Sequence, residues 1–497
     1  MLVAAMRVGV RDGAAALGEG ERLTGVCAQE RVTRIRGGPT PGGVPDQALD
    51  LLLQRAGRSR ADIRRLDVVG SDAAPIEGGD ANLSDHFGHA CTAYWTSPFA
   101  EALVVVCDRD PPGVSAWIGR GSSLTRLDLH WDGPGFAELY SAFSRAVGFA
   151  GEAGEQQFEA LARLRPDARD PGFEQLVSLD GNTLVIAPSL ERNIEDALPR
   201  GIAPDDHRRA SLAAALQVRL ADLLVELLAR VRDGLGVDAL CVGGSLFYHS
   251  AINTRIRLGG PFRDVFVPVD PGDAGLPAGL ILRALGTSPV PVSPFLGPSY
   301  SPEETKEVLD NCKLHYSWET DGNCVSIAVE ALSQGRLVGW FDDAMEWGPR
   351  ALGARSILAS PRAPYVLENL NRFLKHRDPW RGYALSGLQD AVPTHFDGPA
   401  ASPFMECDYR PRDPESLRHL LPSPSAVVRV HTVGDAGLPR FVRLLEAMGA
   451  ATGLPFLVNT SFNGFHEPSV CSPRDAVRVF YGSGLDVLVM NNFVLRK

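Results

Sequence analysis

Val231-Arg-Asp-Gly-Leu-Gly236-Val-Asp-Ala239-Leu-Cys-Val242-Gly243-Gly244 decides the fold class. It closes a helical pattern from about Arg208 to Arg232, in which Leu212, Leu216, Leu220, Leu223, Leu224, Leu227, Leu228 and Val231 share one face. Gly234 and Gly236 stop that helix, and Ala239 to Val242 reads as a short buried strand. A helix feeding a strand that ends in paired glycines is an α/β signature. Gly243 and Gly244 could bring backbone N–H groups against a phosphate, or could form a plain tight turn.

The same order recurs elsewhere. An apolar hairpin runs from Arg7 to Leu17 around a turn at Asp12-Gly13. A turn-rich tract from Arg34 to Pro45 then precedes helix-spaced Leu49, Leu52, Leu53 and Ala56, and after them the strand-like Leu66-Asp-Val-Val-Gly70. Toward the end, Ser472 is a helix N-cap, with Pro473 at the first helical position and Asp475 three residues after the cap, and Leu485 to Met490 is a strand. No internal repeat can be read. Five prolines between Gly286 and Glu304 exclude helix there and read as an interdomain linker. The expected division is therefore residues 1–300 and 301–497.

At 497 residues, with 44% hydrophobic and 22% charged residues, the chain suits a globular protein of several domains and not a disordered or membrane-spanning one. Sixty acidic residues against 49 basic ones, a net charge of −11, oppose a broad nucleic-acid surface while leaving room for a local basic pocket. Eight cysteines without a C-x-x-C pair suggest neither a zinc ribbon nor a disulfide framework. The opening residues lack the pattern of a signal peptide, so a cytoplasmic location is expected, with no membrane partner and no nucleic acid. A homo-oligomer is compatible with all of this.

Four segments carry chemistry. In Met345-Glu-Trp-Gly348-Pro-Arg350-Ala-Leu-Gly-Ala-Arg355-Ser356, two arginines five apart lie beside a glycine that permits close backbone approach, and each guanidinium offers a planar fork for phosphate or carboxylate. On their own, two such arginines more often lie on a surface. Leu370 to Arg381 holds a second cationic cluster, with Lys375, Arg377 and Arg381, which composition alone reads as a solvated helix face. Thr452 to Asn463 reads as a buried strand leading into a polar tip, where Asn459 and Ser461 can orient an amide or a phosphate. Near the start, Asp85 and His89 are four apart and share a helix face; they could hold one metal, although a lone pair at this spacing is more often a surface pair.

Taken as whole strings, these segments resemble the ATP-dependent O-carbamoyltransferases of the nodulation, tobramycin and cephem type. The run from Met345 to Ser356 matches their G-P-R-A-L-G-x-R-S signature, Leu370 to Arg381 their second basic segment, Thr452 to Asn463 their T-G-x-P-x-L-x-N-T-S-F-N, and Arg429 their A-R-V-Q-T-V arginine. The resemblance implies an actin/hexokinase-superfamily, TsaD-like N-terminal domain joined to a YrdC-like C-terminal α/β domain. It implies that the second domain makes carbamoyl adenylate from carbamoyl phosphate and ATP. Arg350 and Arg355 would be catalytic, and Lys375, Arg377, Arg381, Arg429, Asn459, Ser461, Gly243 and Gly244 would hold the co-substrates. It implies further that the first domain passes the carbamoyl group to a hydroxyl of a small molecule, with a secondary metabolite as the expected class. Two alternatives share these features: a tRNA threonylcarbamoyl-transfer enzyme, and a family member whose N-terminal half has lost catalysis.

The N-terminal match is Leu83 to Phe99 against D-H-H-x-x-H-A, with Asp108 and Asp273 on the family's aspartates. This implies a metal set of Asp85, His89, Asp108 and Asp273. Here the family's first histidine is Asp85, which gives three carboxylates and one imidazole. That harder donor set shifts the expected ion from iron(II) toward manganese or magnesium. His86 matches the second histidine, and two roles stand open for it: general base on the acceptor hydroxyl, or a structural hydrogen-bonded residue. Two further departures, Arg11-Asp12-Gly13-Ala14-Ala15 for H-D-x-S-A and Ser245 to Tyr248 for V-A-x-N, weaken any transfer of acceptor contacts.

Overall fold

A computed structural model describes residues 1–37, 43–70, 79–151, 153–198, 201–434 and 437–497, with backbone only for 79–82. Residues 38–42 of the turn-rich tract lie outside the described residues.

Every residue of β1 (Leu2–Arg7) is buried, because it is central in its sheet and packed on both faces. Val3 and Ala5 join one core cluster while Leu2, Ala4 and Met6 join another, the period of two that a pleated strand imposes. Antiparallel to β1 is β2 (Ala14–Glu19), followed by β3 (Arg22–Ala28); β4 (Ile63–Val69) is parallel to β1, and β5 (Gly79–Leu83) is parallel to β4. The expected hairpin is thus present, with strand residues starting at Leu2 and the turn spanning the Asp12-Gly13 position.

A second sheet repeats this plan. β6 (Glu101–Cys107), β7 (Val114–Arg120) and β8 (Ser123–Arg126) form the antiparallel meander, and a small hairpin, β9 (Val177–Asp180) and β10 (Thr183–Ile186), stands apart. β11 (Ala239–Gly243) then pairs parallel to β6, and β12 (Asp264–Phe266) parallel to β11. The orders β3-β2-β1-β4-β5 and β8-β7-β6-β11-β12 are the same path walked twice. This duplicated sheet is the actin/hexokinase arrangement. It is also an internal repeat that the sequence hides, since a fold needs only the same alternation of apolar residues and not the same residues.

Helices Asp85–Trp95 and Leu276–Ala284 lie between the sheets, and their core is shared by Val3 and Ala5 of β1 with Val104 and Val106 of β6. They approach closely at Gly279, where a Cβ would meet the Thr92 backbone nitrogen at 2.2 Å. The outer face of the second sheet packs against the long helix His207–Arg232, capped by the Asp206 carboxylate; its leucines 220, 223, 224 and 227 are fully buried.

The third sheet has ten strands. At its centre Val338–Phe341, Arg355–Ala359, Phe456–Ser461, Ala384–Leu388 and Val428–Val433 lie side by side in that order. The Ser472 capping box is formed and starts helix Pro473–Tyr481. The proline-rich tract is not a free spacer. Gly297 N donates to Met345 O at 2.9 Å, Trp347 N to Pro294 O at 3.0 Å, and Val26 N to Leu296 O at 2.9 Å, so the tract clamps the arginine loop against the first sheet. No helix among the described residues is long and apolar enough to cross a membrane.

Candidate functional site

Two groups of side chains stand out: one adjoins the Asp12, Asp270 and Ala274 wall of a large cavity without itself lining it, and the other lines that cavity. The first lies at the carboxyl ends of the duplicated strands. His89 comes from helix Asp85–Trp95, Asp108 follows β6, and Asp273 opens the turn Asp273–Gly275 after β12. One donor atom from each lies within 4.8 Å of the others, with His89 Nε2 3.5 Å from both Asp108 Oδ2 and Asp273 Oδ1. Burial alone would lower the imidazole, but the two carboxylates outweigh it and raise His89 to about 10. Burial likewise pushes Asp108 up, and His89 with Ser245 overrides it, holding that carboxyl well below the ordinary range. Both His89 nitrogens are buried without a hydrogen bond among the described residues. A buried imidazole between two carboxylates, with no other polar partner, fits a divalent ion that would replace the proton.

Asp85 does not join this group. It stands against Arg7, with Nη2 3.9 Å from Asp85 Oδ2 and 2.8 Å from Asp273 Oδ2. The expected four-donor set is therefore three donors plus a carboxylate facing a guanidinium. Burial, then Asp273, raises Asp85 to about 7, with Arg7 and His89 opposing.

His86 has no free nitrogen. Nε2 must donate to the Asp110 carbonyl (2.9 Å), which leaves Nδ1 to accept from Ser115 Oγ (2.6 Å). Burial lowers its pKa, in keeping with a neutral ring. The structural role is realised and the general-base role is not. Gly243 and Gly244 are corrected in the same way. Gly244 has φ +100°, and a Cβ there would lie 2.2 Å from Cys107 O, so the glycine serves close strand approach. Its N–H donates to Pro271 O at 2.7 Å and is not available to a phosphate.

The departures Ser245 to Tyr248 have work of their own. Ser245 N (2.8 Å) and Oγ (2.5 Å) both donate to Asp108 Oδ1 and orient it. Tyr248 OH donates to Asp270 Oδ1 at 2.6 Å, and its carbonyl accepts from Arg350 Nη2 at 2.7 Å, so one residue touches both ends of the site.

The second group is cationic. The cavity has a volume of about 1440 Å³, and ten of its lining side chains are Lys or Arg while seven are Asp or Glu, the reverse of the balance over the whole chain. Arg350, Lys375, Arg377, Arg381, Arg429, Asn459 and Ser461 all line it. Lys375 ends a wide π-type helix, Asn369–Lys375, and is buried. Its Nζ donates to Ser461 O (2.6 Å), Asn463 O (3.1 Å) and Asn463 Oδ1 (2.6 Å). Burial, then Arg377 and Arg36, presses its pKa well below the ordinary value. Burial also lowers Arg350, and burial with Arg377 lowers Arg381 to about 10. None of Arg350, Lys375, Arg377 and Arg381 has a carboxylate within ion-pair distance among the described residues, so this wall is short of negative charge.

Arg355 is a correction. It is fully buried, does not line the cavity, and donates to the carbonyls of Asp342 (2.8 Å), Ala354 (3.0 Å), Asp343 (3.0 Å) and Pro298 (3.3 Å), with its guanidinium 3.6 Å from the Phe341 ring centroid. Glu346 Oε1 accepts from the N–H groups of Leu352, Ala354 and Arg355. Glu346 and Arg355 thus build the loop from which Arg350 reaches the cavity.

Sequence reasoning missed a buried ion-pair network between the helix Gly154–Ala162 and the third sheet. Glu159, 1% exposed on helix Gly154–Ala162, pairs with Arg163 (2.5 Å) and with Arg429 of the third sheet (3.0 Å); Arg163 also pairs with Asp408 at 3.0 Å. Burial, then Arg163 and Arg350, lowers Arg429 to about 9 against the pull of Glu159. The available signal was an acid on the apolar face beside Phe158 and Leu161. Asp12 was also missed: it lines the cavity with Asp270 and Ala274, one residue from Asp273, and burial and then Asp273 raise its pKa.

Comparison with known proteins follows this division. Residues 190–282 match the family model described as carbamoyltransferase N-terminus, and residues 329–497 match carbamoyltransferase C-terminus. An uncharacterized Synechocystis protein, sll1178, is 31% identical over 464 residues, covering 83% of this chain and 75% of its own. Nodulation protein NolO of Bradyrhizobium diazoefficiens is 29% identical over 435 residues, 84% of this chain and 79% of NolO. Component A of the Acidaminococcus fermentans (R)-2-hydroxyglutaryl-CoA dehydratase aligns in structure with 57% of this chain and 98% of its own, at 13% identity and a TM-score of 0.40.

Proposed function

This chain belongs to the carbamoyltransferase family, and we propose that it makes carbamoyl adenylate from carbamoyl phosphate and ATP and transfers the carbamoyl group to a hydroxyl of a small-molecule acceptor. The observation that carries this reading is the single cavity lined at one end by Arg350, Lys375, Arg377 and Arg381 and at the other by Asp12, Asp270 and Ala274 beside the His89–Asp108–Asp273 group.

At the cationic end, water cleaves carbamoyl phosphate to carbamate and phosphate; a carbamate oxygen then attacks the α-phosphorus of ATP and the bond to pyrophosphate breaks. Both reactants are anions, and negative charge grows on the departing pyrophosphate. Fixed guanidinium and ammonium groups that lack carboxylate partners suit this step, because they meet the developing charge without first losing a partner. Asn459 Nδ2 is held by Ala351 O and Ser386 Oγ, while its buried Oδ1 has no partner among the described residues and can accept from the carbamoyl amide.

Enclosure between the two ends keeps water from the mixed anhydride. A divalent ion on His89, Asp108 and Asp273 would polarise the carbamoyl carbonyl. In the second step the acceptor oxygen attacks the carbamoyl carbon and AMP leaves. With His86 committed to Asp110 and Ser115, Asp12 is the base best placed to take the hydroxyl proton, since burial and Asp273 make its carboxylate more basic than usual. No basic stripe and a net charge of −11 favour a small acceptor over tRNA.

The test is incubation with carbamoyl phosphate and ATP, following pyrophosphate release with and without hydroxyl compounds. Release that depends on carbamoyl phosphate supports the reading. Its absence, or acceptor-independent ATP hydrolysis to ADP alone, overturns it.

A further inference from the structure

Arg7 ends β1 with its side chain turned into the acid group and only 9% of the residue exposed. Its Nη2 lies 2.8 Å from Asp273 Oδ2 and 3.9 Å from Asp85 Oδ2, and its Nη1 donates to the Arg11 carbonyl. The chain makes room for it: a Cβ on Gly9 would stand 2.4 Å from Arg7 Nη1. Asp85 is 6% exposed, and neither of its carboxylate oxygens has a hydrogen bond among the described residues. Its one close polar neighbour in the ion-pair geometry is Arg7.

Charge explains the pairing. A divalent ion on His89, Asp108 and Asp273 is neutralised by the two carboxylates. Asp85 adds a third negative charge at the same place, and a buried charge needs a partner. Arg7 supplies one positive charge, so the ion, the three carboxylates and the guanidinium balance. Arg7 also sits on Asp273, the carboxylate an ion would share, and a cation bound to a ligand oxygen's own carboxylate opposes a second cation there.

The geometry assigns Arg7 the role of a resident counter-charge that takes Asp85 out of the metal set and holds down the affinity of a three-donor site for a divalent ion. This rests on the reading of His89, Asp108 and Asp273 as ion donors, and not on the identity of the acceptor or on the adenylate. It is tested without turnover, so a failed transfer assay and a failed titration point to different errors.

The experiment is calorimetric titration of the full chain with Mn²⁺, with the Mn²⁺ spin-resonance spectrum as a second readout. Arg7→Gln should bind Mn²⁺ about tenfold more tightly than wild type or better, since it removes an adjacent positive charge. Asp85→Asn should weaken Mn²⁺ binding by no more than about tenfold, because it removes a nearby negative charge but not a donor. Should Arg7→Gln alone fail to fold, the double variant with Asp85→Asn removes both charges together and should bind more tightly than Asp85→Asn alone. Equal or weaker binding by the Arg7 variants, loss of binding in Asp85→Asn, or no Mn²⁺ binding by any form would each overturn the assignment.

Discussion

The acid cluster that adjoins the cavity and the cationic wall that lines its other end differ in how their charge is balanced. At the acid end, each of the three carboxylates already faces a cation or a donor: Asp108 has His89 and Ser245, Asp273 has His89 and Arg7, and Asp85 has Arg7. At the cationic end, the side-chain hydrogen-bond partners of Arg350, Lys375, Arg377 and Arg381 among the described residues are backbone carbonyls, one hydroxyl and two side-chain amides. A compensated cluster can hold its shape alone, whereas an uncompensated one is completed by a polyanion. The contrast separates a site preset for fine positioning from one built to be filled.

The sharpest way to break that contrast is inside the arginine loop. Arg350→Gln should reduce kcat/KM for pyrophosphate release by about 10²–10³-fold with Tm little changed, because it removes a stabiliser of developing charge. Arg355→Gln should instead lower Tm and soluble yield, since it removes a fully buried guanidinium that donates to four carbonyls, of which, among the described residues, only those of Ala354 and Pro298 keep a backbone donor. Equal losses of activity per folded molecule in the two variants would dissolve the distinction.

Next comes the buried contact of Glu159 with Arg163 and Arg429. Glu159→Gln leaves Arg163 and Arg429 short of their buried counter-charge and should cost about 3 kcal/mol in denaturant unfolding. A change below about 0.5 kcal/mol, the size expected at an ordinary surface site, would mean that solvent and Asp408 compensate for the lost carboxylate.

Asp108→Asn then tests whether the ends act separately. Transfer to the acceptor should fall by roughly 10²-fold while carbamoyl-phosphate-dependent pyrophosphate release stays within about threefold. Parallel loss of both activities would show one undivided site.

The smallest effect is on pH dependence. The Lys375 pKa is lowered, so an anion that favours the ammonium draws a proton from solution when pH lies above the unliganded value. Nucleotide affinity should therefore decline, by up to about tenfold, as pH rises toward 10. Lys375→Met should flatten that decline, and calorimetry in buffers of different ionisation enthalpy reads the proton directly.

Much of the architecture was legible because it rests on local periodicity. The helix from 207 to 232, the strand after it, the Ser472 capping box and the hairpin around Asp12 all follow from the spacing of apolar residues and from cap chemistry within a few residues. The duplication of the first sheet in the second was not legible, because strand order is a statement about distant pairings. Within the site, motif resemblance named seven residues that line the cavity, but could not separate Arg350, which reaches the cavity, from Arg355, which is fully buried five residues on. That difference depends on where the chain turns after Glu346, and on carbonyls contributed by Pro298 from the proline-rich tract.

The amino-acid sequence by itself determined the α/β class and the cationic segments, since each depends on residue type and near-neighbour spacing; Asp85, His89, Asp108 and Asp273 were named together only through resemblance to a family. Only the tertiary structure decided which charges are spent on one another. Arg7 on Asp85 and Asp273, Glu159 on Arg429, and His86 on Asp110 and Ser115 are pairings made at ångström range between segments distant in the chain. Coulomb energies and hydrogen bonds fall off too steeply with distance for sequence position to reveal them.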